Sequence, residues 1–203
     1  MIFGLFLYIV VIISAVFHEF MHGWMANNLG DSTAKDLGRL TLNPLKHIDL
    51  IGTLLLPLFL ILTTNGGFIG WAKPVPYNPY NLTDRKFGST KVAFAGPAAN
   101  FFMALIFGLI VRFIPLNSTL FVTFSWITYI NLALGFFNLI PVPPLDGSKL
   151  LIDLFPKSAI FVMRFSVFGI FFALLIGLFI LSPLSSLFFS LITGQLFTAV
   201  RLF

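Results

Sequence analysis

The chain opens on an apolar run, Met1 to about Asn28, that carries His18-Glu19-Phe20-Met21-His22 inside it. A run of that length can cross a bilayer as a helix. An ionisable residue within a span is costly, and its presence points to a functional site. On a helix, residues four apart lie on one face, about one turn from each other. Two imidazoles at that spacing can share one Zn²⁺, and a carboxylate beside the first can act on water as a base. The chain has three histidines and one glutamate; two of the histidines and that glutamate are in this motif. Polar residues that merely bond to neighbouring helices are the bland alternative, and the metalloprotease order argues against it.

Of the 203 residues, 58% are hydrophobic and 9% charged, against a usual charged share of about 25%. This excludes an ordinary soluble domain. It predicts an all-α polytopic membrane protein with the lipid bilayer as partner along each span. The chain has no cysteine, which excludes a disulfide framework, a Cys-ligated zinc and thiol redox chemistry. The net charge of +5 is scattered over loops and reads as a topology signal rather than a nucleic-acid surface; no nucleic-acid partner is expected. The N-terminal run lacks a basic leader and a small-residue cleavage site, so it is expected to be retained as a span.

About five transmembrane helices are expected: 1 to about 28, 92–114, 119–140, 160–181 and 184–203, the last two as a hairpin broken at Ser182-Pro183. Residues 51–62 are apolar but interrupted by Pro57. As a helix they reach only ~18 Å against a hydrocarbon core of ~30 Å, so this stretch is expected to re-enter rather than cross. Residues 66–76 are rich in Gly and Pro and read as extended. Together these form one re-entrant and extended segment between the first and second spans, within a single integral-membrane domain over residues 1–203.

A catalytic zinc takes three protein ligands and keeps an open position. Beyond His18 and His22, the candidates are His47 and the aspartates at 31, 36, 49, 84, 146 and 153. Asp146 stands out because it closes a Pro-rich stretch that cannot continue a helix, although an Asp-Gly pair by itself is satisfied as a plain turn. Topology bears on the choice. If residues 51–62 crossed the membrane, Asp146 and the end of the first helix would fall on opposite faces; if they return, both share one face. In the re-entrant arrangement every Lys and Arg except Arg112 falls on that face. The positive-inside rule makes it cytoplasmic, with the N-terminus outside and the C-terminus inside. The metal then lies about 9–15 Å below the cytoplasmic edge. His47, in a loop about 25 residues past His22, stays open as a rival ligand.

His18-Glu19-Phe20-Met21-His22, Gly96-Pro97-Ala98-Ala99-Asn100 and Asn138-x-x-Pro141-x-Pro143-x-x-Asp146-Gly147 together resemble the site-2 proteases, which are intramembrane zinc metalloproteases. Residues 41–49 and 70–76 look like a compact prokaryotic branch without an appended PDZ or nucleotide-binding domain. The resemblance spans nearly the whole chain. It implies that His18, His22 and Asp146 hold one zinc per chain and that Glu19 is catalytic. It also implies that the substrate is a transmembrane segment of another membrane protein, cut within the bilayer for signalling or for clearance. The family's asparagine positions fall on Asn100 and Asn138, which could hold the scissile carbonyl or join helices by hydrogen bonds. The stretch 68–75 could take an unwound substrate by strand addition, or serve only as a turn. The rival from another class is a membrane metal transporter or an inactive homologue. A transporter needs paired polar residues through both leaflets, which the outer halves lack, and an inactive homologue would have lost Glu19 or a ligand.

Overall fold

A computed structural model describes residues 2–63, 70–116, 118–158 and 166–200. The chain divides into two compact units, Met1–Gly88 and Ser89–Phe203. All regular structure among the described residues is helical.

The first unit is led by α1 (Ile2–Asn28), whose 27 residues extend about 40 Å. Its two faces differ sharply. Ser14, His18, His22 and Ala26, at four-residue steps, are buried, while Leu5, Ile9 and Ile13 are exposed. Lipid tails are as apolar as leucine, so such side chains gain little by turning inward, and burial goes instead to the stripe that carries the histidines. A short helix α2 (Thr33–Asp36) follows. Asp31 before it is fully buried and accepts hydrogen bonds from Thr33 N and Oγ1, Asn78 N and Asn81 Nδ2. Burial pushes its carboxyl pKa up, but these four bonds to the charged form outweigh that and hold it below the usual value.

The next stretch leaves and returns. A π-turn (Leu50–Leu55) leads into α3 (Leu56–Thr63). Asp49 caps its start, accepting from Ile51 N at 3.1 Å and Gly52 N at 2.7 Å, while its own N–H donates to Thr53 Oγ1 at 2.9 Å. Leu50–Thr63 reaches about 21 Å, short of the hydrocarbon thickness. The chain then comes back. Trp71 N donates to Gly52 O at 3.1 Å, Thr53 Oγ1 donates to Trp71 O at 2.8 Å, and Lys73 N donates to His47 O at 2.9 Å. Residues 47 and 73 are therefore hydrogen-bonded neighbours, as a re-entrant segment requires. Glycine is needed at 52, where a Cβ would sit 2.2 Å from the Trp71 indole. Tyr8 of α1 adds a bond from its hydroxyl to Thr53 O. Residues 64–69, which include Phe68 and Ile69 of the expected extended stretch, lie outside the described residues.

The second unit holds α4 from its second residue (Gly88–Val111), α5 (Thr119–Asn138), α6 (Gly147–Leu154), α7 (Ser166–Ile176) and α8 (Ser182–Thr193). Ser118 Oγ caps α5 by accepting from Phe121 N at 3.1 Å. Ala104, Leu132 and Phe189 form a buried core joining α4, α5 and α8.

The expected hairpin at Ser182-Pro183 is not formed. A π-turn (Gly177–Leu181) links α7 to α8, and Ile176, Leu181 and Ser182 all keep right-handed helical dihedrals. Proline disrupts a helix through its missing N–H and the clash of its ring with the preceding turn; a wider π-turn placed just before Pro183 relieves both. The rod therefore continues to Thr193, where Arg112, just past the end of α4, donates to Leu191 O at 3.3 Å. Among the described residues four helices are long and apolar enough to cross a membrane: Ile2–Asn28, Gly88–Val111, Thr119–Asn138 and Phe171–Thr193. This count covers the described residues alone. Residues 159–165, where one expected span begins, lie outside the described residues.

Candidate metal centre

The helical pitch of α1 sets His18 and His22 one turn apart on its buried face. Their rings lie 4.6 Å apart between centroids, at 87°. Both are buried, and Glu19 beside them is half-buried. The ligand atoms offered by His18, Glu19 and His22 all lie within 4.8 Å of one another. Imidazole donors about 2.0–2.1 Å from a tetrahedral zinc sit about 3.4 Å apart, so small rotamer changes would let His18 and His22 close on one ion with the Glu19 carboxylate beside it. Two imidazoles one helical turn apart are a zinc-type donor pair, and the residues fit the metal.

The return stretch reaches this cluster. Val75 N donates to Glu19 Oε2 at 2.7 Å. Nothing in the residue pattern of α1 announces this contact, because a backbone donor has no side-chain signature. One trace was available: in Pro74-Val75-Pro76 only the middle residue has an N–H to give.

His47, the rival ligand, lies outside the cluster of His18, Glu19 and His22. It is buried, its Nε2 donates to Thr41 O at 2.8 Å, and its carbonyl receives Lys73 N. Its role in this unit is to anchor the start of the excursion.

Asp146 belongs to the second unit. It sits at the head of α6 and is half-buried, and its side chain does not cap that helix. Its backbone position is tightly specified. Leu145 N donates to Val142 O at 3.0 Å, and Ser148 N and Oγ both donate to Leu145 O, at 3.1 and 2.7 Å. A Cβ at Gly147 would fall 2.2 Å from Leu139 O, so the chain folds back this closely only with glycine there. Ile140 and Leu145 pack with Ala173 beneath the turn. Asn100 is fully buried and donates from Nδ2 to Asn131 Oδ1 at 3.0 Å, clamping α4 to α5. Asn138 Nδ2 turns back on its own helix to Leu134 O at 3.0 Å.

An apolar, membrane-length helix that presents two imidazoles and a carboxylate in one cluster defines a membrane protein built around a metal-capable HExxH site. Comparison with known proteins gives the family. The model of Peptidase family M50 matches residues 6–118 and 115–181. The chain belongs to this family, the site-2 protease family. YwhC of Bacillus subtilis (strain 168) is 36% identical over 195 residues, covering 88% of this chain and 85% of that one. Rip2 of Mycolicibacterium smegmatis is 33% identical over 148 residues, covering 71% of this chain and 56% of that one. Both names class their bearers provisionally as zinc metalloproteases. The zinc metalloprotease MJ0392 of Methanocaldococcus jannaschii is 26% identical over 157 residues, 77% of this chain and 36% of that one. No solved structure gives a significant match.

Proposed function

We propose that the chain is a zinc metalloendopeptidase that cuts transmembrane segments of other membrane proteins inside the bilayer. The observation that carries this reading is the close cluster of His18, Glu19 and His22 on the buried face of a membrane-length helix. His18 and His22 hold one zinc ion per chain, and Asp146 supplies the third ligand. The tightly built turn that fixes Asp146 at the head of α6 supports that role. When bound, zinc supplies Lewis acidity toward the scissile carbonyl and lowers the pKa of water toward ~7. Glu19 takes the proton of the attacking water and returns it to the leaving amine.

The bond between Lys73 and His47 supports an excursion that enters and leaves on one side. α4 and α5 then add two crossings, so by chain path the end of α1 and Asp146 share a face. Of the Lys and Arg residues between 35 and 157, every one except Arg112 then lies on the face of the site, which the positive-inside rule makes cytoplasmic. His18 and His22 lie about 9–15 Å inside that face. A substrate helix must open before its carbonyl is reached. Gly and Pro weaken a helix by about 1 and 3 kcal/mol relative to Ala, so such residues in the cytoplasmic half of the substrate span favour cleavage.

The test is cleavage and metal content in one preparation. Glu19→Gln is expected to abolish cleavage of a membrane-spanning peptide while zinc stays bound. Asp146→Ala is expected to lose zinc, and His47→Ala to keep it. Cleavage by Glu19→Gln at the wild-type rate would remove the general-base role of Glu19, and no cleavage by the zinc-loaded wild-type chain would remove the protease reading. Zinc loss in His47→Ala with retention in Asp146→Ala would overturn the ligand set.

A further inference from the structure

A general base works only if its carboxylate is aimed, and a half-buried glutamate with several rotatable bonds is not aimed by itself. Glu19 has a backbone partner from far along the chain: Val75 N donates to its Oε2 at 2.7 Å. That N–H belongs to the peptide plane joining Pro74 to Val75, whose other end is the Pro74 carbonyl. Arg39 grips that end. Its Nη2 donates to Pro74 O at 3.2 Å and to Lys73 O at 3.0 Å. The plane is thus held at its oxygen by a guanidinium and delivers its hydrogen to Glu19. Residues on either side limit its freedom further. Lys73 N is fixed to His47 O at 2.9 Å, and Val75 precedes Pro76, which confines it to extended backbone. Val75 is itself buried.

We propose that Arg39 and the Pro74–Val75 peptide are a positioning device for Glu19. The chain is short: guanidinium to carbonyl, through one rigid amide, to carboxylate. A cationic donor on the carbonyl polarises the amide and strengthens the bond its N–H gives. With one carboxylate oxygen held, Glu19 cannot swing away from the place where it takes and returns a proton. Arg39 and Val75 touch neither metal nor substrate in this scheme; they act through Glu19. The proposal rests on the reading of Glu19 as general base.

The experiment uses the full chain, zinc-loaded in detergent, with a fluorogenic peptide built on an apolar span with glycine in one half. Arg39→Met is expected to lower kcat about tenfold to a hundredfold, the cost of a carboxylate misplaced by about 1 Å, with KM, zinc content and melting temperature unchanged. Arg39→Lys, which keeps the charge without the planar fork, recovers part of the loss. Val75→Pro, which removes the N–H, falls at least as far below Val75→Ala, which keeps it. A second readout does not depend on activity. The Val75 amide proton, read by NMR in ¹⁵N-valine protein, moves upfield in both Glu19→Gln and Arg39→Met. Wild-type kcat in Arg39→Met, or an unmoved Val75 amide in both variants, overturns the device. Glu19→Gln with full cleavage would instead remove the general-base reading itself, so the two failures are distinct.

Discussion

Residues 47–73 and the rod Ser166–Thr193 are both apolar stretches interrupted by a proline, and both place a π-turn just before it: Leu50–Leu55 before Pro57, Gly177–Leu181 before Pro183. In each, the wider turn absorbs the ring and the missing N–H. Yet the first stretch returns to its start and the second runs on. The difference lies in what surrounds the proline. Asp49 caps the first stretch, Gly52 opens a seat for Trp71, and the returning backbone finds partners at His47, Gly52 and Thr53. The π-turn of the second has no side-chain cap. In hydrocarbon every backbone group needs a partner, so a chain can turn back only where polar partners are supplied. Return is encoded by the cap and the docking seat, and proline alone decides nothing.

The comparison can be broken at several points. Gly52→Leu should have the largest effect. It drives a side chain into the Trp71 indole, and overpacking of this kind costs about 3 kcal/mol, read as a lower melting temperature. A cysteine placed at position 73, in a chain that has none, should then become more reactive to a water-soluble thiol reagent. Asp31→Asn comes next. Asp31 ties the end of α1 to residues 78–81, just beyond the return, and losing bonds to a buried charged acceptor costs roughly 2 kcal/mol. Because the folded-state pKa of Asp31 is lowered, its contribution is present above the unfolded carboxylate value near 3.9. It is lost as pH falls through the lower folded value. Acid unfolding followed by circular dichroism should therefore begin at higher pH in wild type than a fully charged Asp31 would allow, and Asp31→Asn should flatten that acid limb. Asp49→Ala removes the cap of the excursion and should cost about 1 kcal/mol, seen in the denaturation midpoint. Pro183→Ala should be smallest, within about 0.5 kcal/mol. A cysteine at position 196 should label from the same side of the membrane in wild type and variant. A side switch there would mean that Pro183 does direct the chain.

The sequence made the first helix and its site legible because the signals were local. HExxH on a membrane-length apolar run specifies both the element and the face, and residues 51–62 were too short to cross. The π-turns left no trace. A run such as Gly177–Leu181 has the composition of any lipid-facing helix, so Ser182-Pro183 read as a break when the rod continues. Val75 was hidden for another reason: what it offers Glu19 is backbone, identical in every non-proline residue, and only its flanking prolines marked it. Asn100 and Asn138 were legible as candidates but not as partners, because whether an amide meets Asn131 or its own helix depends on packing.

The bond between Lys73 N and His47 O also bears on how such a chain can vary in length. A segment whose two ends are fastened together contributes no net displacement across the bilayer. Residues added or removed between those ends leave the orientation of α4, α5 and the terminal rod as it was. An added helix of spanning length anywhere downstream would invert all that follows it. The excursion is therefore the part of the membrane region where insertions and deletions are tolerated without reversing the rest of the molecule, provided His47 and Lys73 still meet.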